Sequence, residues 1–227
     1  MKKILFFLNI YIFLISCSMA DEKIMPVIKQ VEFTGFDFSK EPTITDASLT
    51  GYQYQTINGK TISIYSCKQA NEINLSQIPE FEFFRFNLLL LSCEAFDRYS
   101  QAKTSKITYF KSEFKPEFLA QLPAEITPLL NKTDKLQRQN KTLHSYNKDI
   151  KISLKNSHTA KLLTPEDEIY ITLLARGDFN SDKKEDLLIK SEWFSRNAFG
   201  KHADLIILSK TSKDEPVKII WRLHPIY

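Results

Sequence analysis

Hydrophobic positions fall into three patterns along this chain. The first is an almost unbroken apolar run, Ile4 to Ile15, behind Lys2 and Lys3. The second is alternation. Tyr52, Tyr54, Ile62 and Ile64 stand at every other position around Asn58-Gly59. Two alternating, β-prone runs about an Asn-Gly pair predict a β-hairpin ending near Cys67. The third is a long apolar stretch, 79–103, with Phe84, Leu88, Leu91 and Phe96 at near-helical spacing. Its length predicts a helix, and Leu88 to Leu91 predict burial on more than one face.

Shorter signals fill the rest. Residues 26–34 alternate weakly and read as a first strand, and 37–50 are turn-rich. Lys106 to Phe110 reads as a short strand. Pro116 to Leu130 reads as helical with a break near Pro123, since proline interrupts the hydrogen-bond ladder. Residues 131–149 carry five Lys and Arg among Asn, Gln and Thr and read as a solvated helix face or a connector, the alternative being a basic binding patch. Beyond them, 150–154, 168–175, 187–194, 204–209 and 217–223 are β-prone runs between turn signals. Consecutive strands of this kind predict an antiparallel meander. The fold class is therefore α+β, with an N-terminal β-hairpin and helices and a C-terminal antiparallel β-meander. The expected organisation is a leader over 1–20 and one globular α+β domain over 21–227. Its lobes, 21–130 and 149–227, would be joined by the polar connector.

The first apolar run is too short for a bilayer, which needs roughly 20 residues. Behind two lysines it reads as a secretory signal sequence. Two cleavage sites compete. Leu14-Ile15-Ser16-Cys17 resembles a bacterial lipobox, in which Cys17 becomes the acylated first residue. Ser18-Met19-Ala20 fits cleavage before Asp21. The first implies an outer-membrane lipoprotein, the second a soluble periplasmic or secreted protein. Both imply the cell envelope.

That compartment changes how the cysteines read. Cys17 goes to lipid or to the leader, so Cys67 and Cys93 remain in an oxidising space and read as a disulfide, the alternative being two buried free thiols. Charge excludes less. The formal net charge is +4, and the two leader lysines account for +2 of it, leaving +2. A near-neutral body points to no nucleic-acid partner. Hydrophobic content of 43% supports a packed core.

One stretch carries candidate chemistry. From Asp178 to Asp186, oxygen ligands fall at Asp178, Asn180, Asp182 and Asp186, loop positions 1, 3, 5 and 9, with the Lys184 carbonyl at position 7. Alternate oxygens on a tight loop suit a hard cation such as calcium. With Gly177 before it and Leu187-Leu188-Ile189 after it, the stretch resembles the loop of FG-GAP and VCBS-type repeats. That resemblance covers residues 176–189 and implies a calcium site between strands. Two positions depart from the pattern, which has glycine where Ser181 and Lys183 stand. Lys183 would adopt a conformation costly for a non-glycine residue. The alternative is a polar hairpin loop that keeps this shape without an ion.

No H-E-x-x-H, G-x-S-x-G, P-loop or G-x-G-x-x-G motif occurs. His144, His158, His202 and His224 are scattered and read as surface residues. Glu166-Asp167-Glu168 reads as an acidic turn before a strand. The expected function is a non-enzymatic envelope protein, a binding or structural module with a calcium loop. The alternative is an inhibitor or immunity-type protein that binds a toxin or hydrolase. The expected partners are an undefined protein, and the membrane through a lipid on Cys17.

Overall fold

The computed structural model describes residues 23–30, 48–110 and 114–224. The leader, Cys17 and both cleavage sites lie outside them. The described residues form a mixed α+β body. After a two-residue strand β1 (Ile28–Lys29) come β2 (Ser48–Gln55), β3 (Thr61–Ser66), α1 (Cys67–Glu72) and α2 (Glu80–Gln101). Three short helices come next: α3 (Pro116–Ala120), α4 (Lys132–Arg138) and α5 (Leu143–Tyr146). The chain closes with β4 (Lys151–Leu154), β5 (Thr159–Leu163), β6 (Asp167–Gly177), β7 (Asp186–Ser195), β8 (Lys201–Ser209) and β9 (Lys218–Arg222).

The last six strands form the expected meander, β4-β5-β6-β7-β8-β9, every pair antiparallel. β1 adds to β6 at Ile28↔Arg176, past the end of β5. β2 and β3 make the hairpin signalled by Asn58-Gly59. Its turn is closed by the Gly59 N–H donating to the Thr56 carbonyl, with Gly59 at φ +74°. Glycine holds that left-handed angle without the steric penalty of a Cβ.

The sheet is covered on both faces, which explains its sequence. Leu188, Leu205 and Ile207 belong to one core, with Tyr54 and Ile64 of the hairpin and Phe86, Leu89 and Leu91 of α2. Leu187, Ile189, Ile206 and Leu208 belong to a second core, with Phe110, Leu119, Leu122, Ile126 and Leu143. Successive strand residues point to opposite faces. The unbroken apolar runs at 187–189 and 205–208 are therefore what two buried faces require. Each fully buried leucine stabilises by roughly 1.5 to 3 kcal/mol. A register shift between Leu173 and Ala175 lets Leu174 and Ala175 both join the first core.

The 22-residue α2 fills the span expected of it. Glu80 and Glu82 in its first turn and Arg98 in its last suit the helix dipole. Cys93 lies mid-helix and Cys67 opens α1 at the end of the hairpin. Their Cα atoms are 5.6 Å apart and their sulfurs are joined. A cross-link spanning 26 residues stabilises by about 3 to 4 kcal/mol in the chain-entropy model.

One local expectation needs correction and others need refinement. Lys106 to Phe110 is not a strand; Ile107 makes only an isolated bridge to Lys184. Pro116 to Leu130 breaks near Pro123 as expected, but it holds less helix than the sequence suggests. α3 stops at Ala120, and a 3-10 turn, Ala124–Ile126, comes after Pro123. The connector 131–149 contains α4 and α5, and Leu143 is fully buried. β5 is an addition to the expected strands, because Thr159–Leu163 is short and carries Lys161 at its centre. Of the expected strand 26–34, only Ile28–Lys29 lies among the described residues as strand.

Candidate metal loop

β6 ends at Gly177 and β7 begins at Asp186, so the expected calcium loop is the β6–β7 connection. A Cβ on Gly177 would lie 3.1 Å from a Val27 methyl and 3.4 Å from the Ala102 Cβ. Glycine thus lets the N-terminal segment and the end of α2 close over the start of the loop.

Asp178 organises the loop backbone. It is buried, and its Oδ1 accepts from the N–H groups of Asn180 (3.3 Å), Ser181 (2.7 Å) and Asp182 (3.2 Å). Its Oδ2 accepts from the Lys183 N–H (2.9 Å). Asn180 Oδ1 accepts from the Asp182 N–H and Asp182 Oδ1 from the Lys184 N–H. Asp186 Oδ2 accepts from the Phe179 N–H (3.0 Å). These are side chains that fold a loop by bonding the backbone a few residues on. Ser181 and Lys183 both have φ 68°. They occupy the two positions at which the FG-GAP pattern has glycine, and they keep the glycine conformation at roughly 1 to 2 kcal/mol each. The N–H bonds to Asp178 offset that strain.

Asp186 differs from the other candidate ligands. It is 0% exposed, and its Oδ1 has no hydrogen-bond partner. Ser209 stands opposite it in the ladder, and its hydroxyl lowers the carboxyl pKa, yet neither Ser209 Oγ nor Asp186 Oδ1 makes a well-formed hydrogen bond. A misaligned hydroxyl satisfies an oxygen poorly, so the carboxylate is under-partnered. Burial pushes the carboxyl up to about 6, and repulsion from Asp182 and Asp178 adds to the rise.

A second ring of residues fixes the loop to the body. Lys103 and Asp178 exchange both backbone hydrogen bonds at 2.9 Å. The Lys106 N–H donates to the Lys183 carbonyl and the Glu185 N–H to the Ile107 carbonyl. Lys103 Nζ donates to Ser181 Oγ (3.0 Å). Arg176 Nη2 and Nε donate to Glu185 Oε1 at 2.7 and 3.0 Å, and Thr108 Oγ1 adds a third bond at 2.9 Å. Glu185 is 2% exposed and Arg176 8%. The Arg-Gly-Asp tripeptide at 176–178 is thus folded inward. Lys103, Thr108, Arg176 and Glu185 brace the loop from outside the candidate ligand set expected from the sequence. Period-2 alternation back from Leu187 would have put Glu185 on the Arg176 side of the hairpin, but Thr108 comes from 77 residues away.

The donors suit a hard cation chemically, being all oxygen, and Asp186 supplies a buried oxygen in want of a positive partner. Asp178, Asn180, Asp182, Asp186 and the Lys184 carbonyl are the groups that would hold it. In the described conformation no group of three or more His, Cys, Asp or Glu side chains is gathered as a metal cluster among the described residues. The Asp178 oxygens face backbone donors, so an ion would draw on a rearranged loop.

Other candidate residues have structural partners. Asp167 accepts from the Trp193 indole (2.7 Å), and Glu168 pairs with Lys161 (2.7 Å) and Tyr170. The histidines are not all isolated: the rings of His202 and His224 lie 5.6 Å apart, and burial lowers the His202 pKa. No described helix is long and apolar enough to cross a membrane. No family model matches the chain, and neither the curated proteins nor the solved structures contain a match to it.

Proposed function

We propose that this chain is a non-enzymatic exported envelope protein, a binding or structural module whose C-terminal sheet is braced by calcium at the β6–β7 loop. One observation carries the reading. A fully buried carboxylate, Asp186, keeps an unpartnered oxygen at the end of a loop whose backbone holds two strained non-glycine residues in the glycine conformation of calcium loops. A buried carboxylate in that position is stabilised by a cation or by a proton. Lys183 and Lys184 hold the affinity to roughly 10⁻⁴ to 10⁻³ M, the range of extracellular modules.

The test is thermal melting in millimolar calcium against chelator. An ion bound only by the folded state stabilises by about 2.7 kcal/mol at a hundredfold excess over Kd. Wild type should melt higher in calcium, and Asp186→Asn should not respond. An unchanged melting temperature in wild type overturns the calcium reading. A shift that survives both Asp186→Asn and Asp178→Ala places the ion elsewhere.

A further inference from the structure

The calcium reading leaves one buried oxygen without a role. Ser209 of β8 stands directly opposite Asp186 of β7 in the ladder. Opposite residues of an antiparallel pair share a face, with Cβ atoms about 4.5 to 5.5 Å apart. Leu188 and Ile207 belong to the first core, and counting by twos from them puts Asp186 and Ser209 on the same face, toward α2. Both side chains are shut away from solvent, Ser209 at 2% exposure. Ser209 Oγ and Asp186 Oδ1 each lack an aligned hydrogen bond among the described residues. A buried hydroxyl and a buried carboxylate oxygen left in that state are both costly. Side by side, they offer lone pairs to one shared cation.

The surroundings keep that position open to an ion. Lys218 is the other ladder neighbour of Ser209, but its ammonium turns to the exposed rim and reaches Glu215 at 3.5 Å. Lys103 Nζ donates to Ser181 Oγ (3.0 Å). Asp182 and Asp178 add negative charge within range of Asp186. Asp186 Oδ2 is held by the Phe179 N–H, and the Phe179 ring packs on the first core, so the carboxylate is fixed by its other oxygen.

The donors expected from the sequence are Asp178, Asn180, Asp182, Asp186 and the Lys184 carbonyl, five groups. Calcium takes about six to eight oxygens. The Asp178 oxygens are committed to backbone N–H groups and must be released. The Asp186–Ser209 pair needs no such release, because the β7–β8 ladder already holds it. We propose that Ser209 Oγ is a further calcium ligand, paired with Asp186 Oδ1, so that the ion ties the β6–β7 loop to β8. The inference rests on the calcium reading above. A serine hydroxyl is a hard, neutral oxygen that can turn its proton aside and present lone pairs to a metal.

The test titrates calcium, and terbium as its luminescent stand-in, into the full chain as wild type, Ser209→Ala and Asp186→Asn. Terbium emission lifetimes in light and heavy water count the waters on the bound ion. Ser209→Ala removes one oxygen and leaves the ladder's backbone bonds in place, so its melting temperature in chelator should stay near wild type. The expected result is calcium binding about tenfold weaker in Ser209→Ala, with about one more water on terbium. Were Ser209 only a misaligned partner of Asp186, its removal would leave the affinity unchanged or tighten it, and the water count would not rise. That result overturns the proposal and leaves the calcium reading standing. Weaker binding without the added water also overturns it, since Ser209 would then act through Asp186 and not on the ion. No binding to wild type, or binding that survives Asp186→Asn, overturns the calcium reading and this inference together.

Discussion

The two loops at opposite ends of β7 solve different problems. At one end, 178–185 turns its polar side chains inward. Asp178 alone accepts four backbone N–H bonds, and the 103–108 segment is stitched across the loop. At the other end, 196–200 is held mainly at its base, by Ser195 N–H to the Gly200 carbonyl and by Arg196 to the Thr164 and Pro165 carbonyls. Its tip carries Phe199 fully in solvent. Phe199 lines a groove with Phe83 and Phe84 of α2. One loop consumes its polar atoms in its own geometry. The other leaves its largest apolar side chain without protein cover, which suits contact more than architecture. Two hairpin connections of one meander can thus be read apart by where their hydrogen bonds end.

Mutations should break this contrast in a definite order. The largest effect should come from Arg176→Met, which takes the guanidinium from a buried carboxylate, at about 3 to 5 kcal/mol. Adding Glu185→Leu should recover most of that loss, because the pair is then replaced by packing. Chemical denaturation of the single and double variants checks both. Next comes Asp178→Ala, which leaves four loop N–H groups without their acceptor, at about 2 to 3 kcal/mol. Asp178→Asn, retaining one acceptor oxygen, should cost about half as much.

The pH response is the third effect, and two groups oppose each other in it. The folded carboxyl of Asp186 is raised from 3.8 to about 6. Its contribution is full below the unfolded value and is lost as pH rises through about 6, on the order of 2 to 3 kcal/mol in chelator. Saturating calcium should abolish that loss, since the ion takes the ionised form. His202 is lowered by burial, with Asp204 opposing and His224 and Arg222 reinforcing the shift. Its contribution is full above the ordinary histidine value of 6.5 and falls away as pH drops below it. Melting curves from pH 4 to 8 on Asp186→Asn and His202→Gln should remove the two slopes separately. The smallest effect should be Phe199→Ser, within about 0.5 kcal/mol in the isolated protein, because no packing is lost.

The contrast also shows what a sequence discloses. The hairpin, α2 and the meander strands other than β5 were legible because period, length and turn residues agree. The polar side chains that shape the β6–β7 turn were legible because they lie within nine residues. β5 was not, since Lys161 interrupts its apolar pattern and the side chain instead pairs with Glu168 across the ladder. Lys106 to Phe110 reads like a strand, but within it only Ile107 bridges the loop, at Lys184, and it joins no strand. Thr108 with Glu185, and His202 with His224, are tertiary pairs whose separation no local spacing encodes. Phe199 is an ordinary apolar letter in sequence; only the fold leaves it in solvent.

The central claim is that the β6–β7 loop is a calcium site. The most direct measurement is the backbone amide spectrum of the full chain during a calcium titration. The account predicts saturable shifts concentrated at Phe179 to Asp186 and at their contacts Lys103 and Lys106, with a midpoint in the roughly 10⁻⁴ to 10⁻³ M range. These shifts should be lost in Asp186→Asn. Amides at 179–186 that do not move at saturating millimolar calcium would contradict it, and the loop would then stand as an ion-free turn held by its own hydrogen bonds, those to Asp178 foremost.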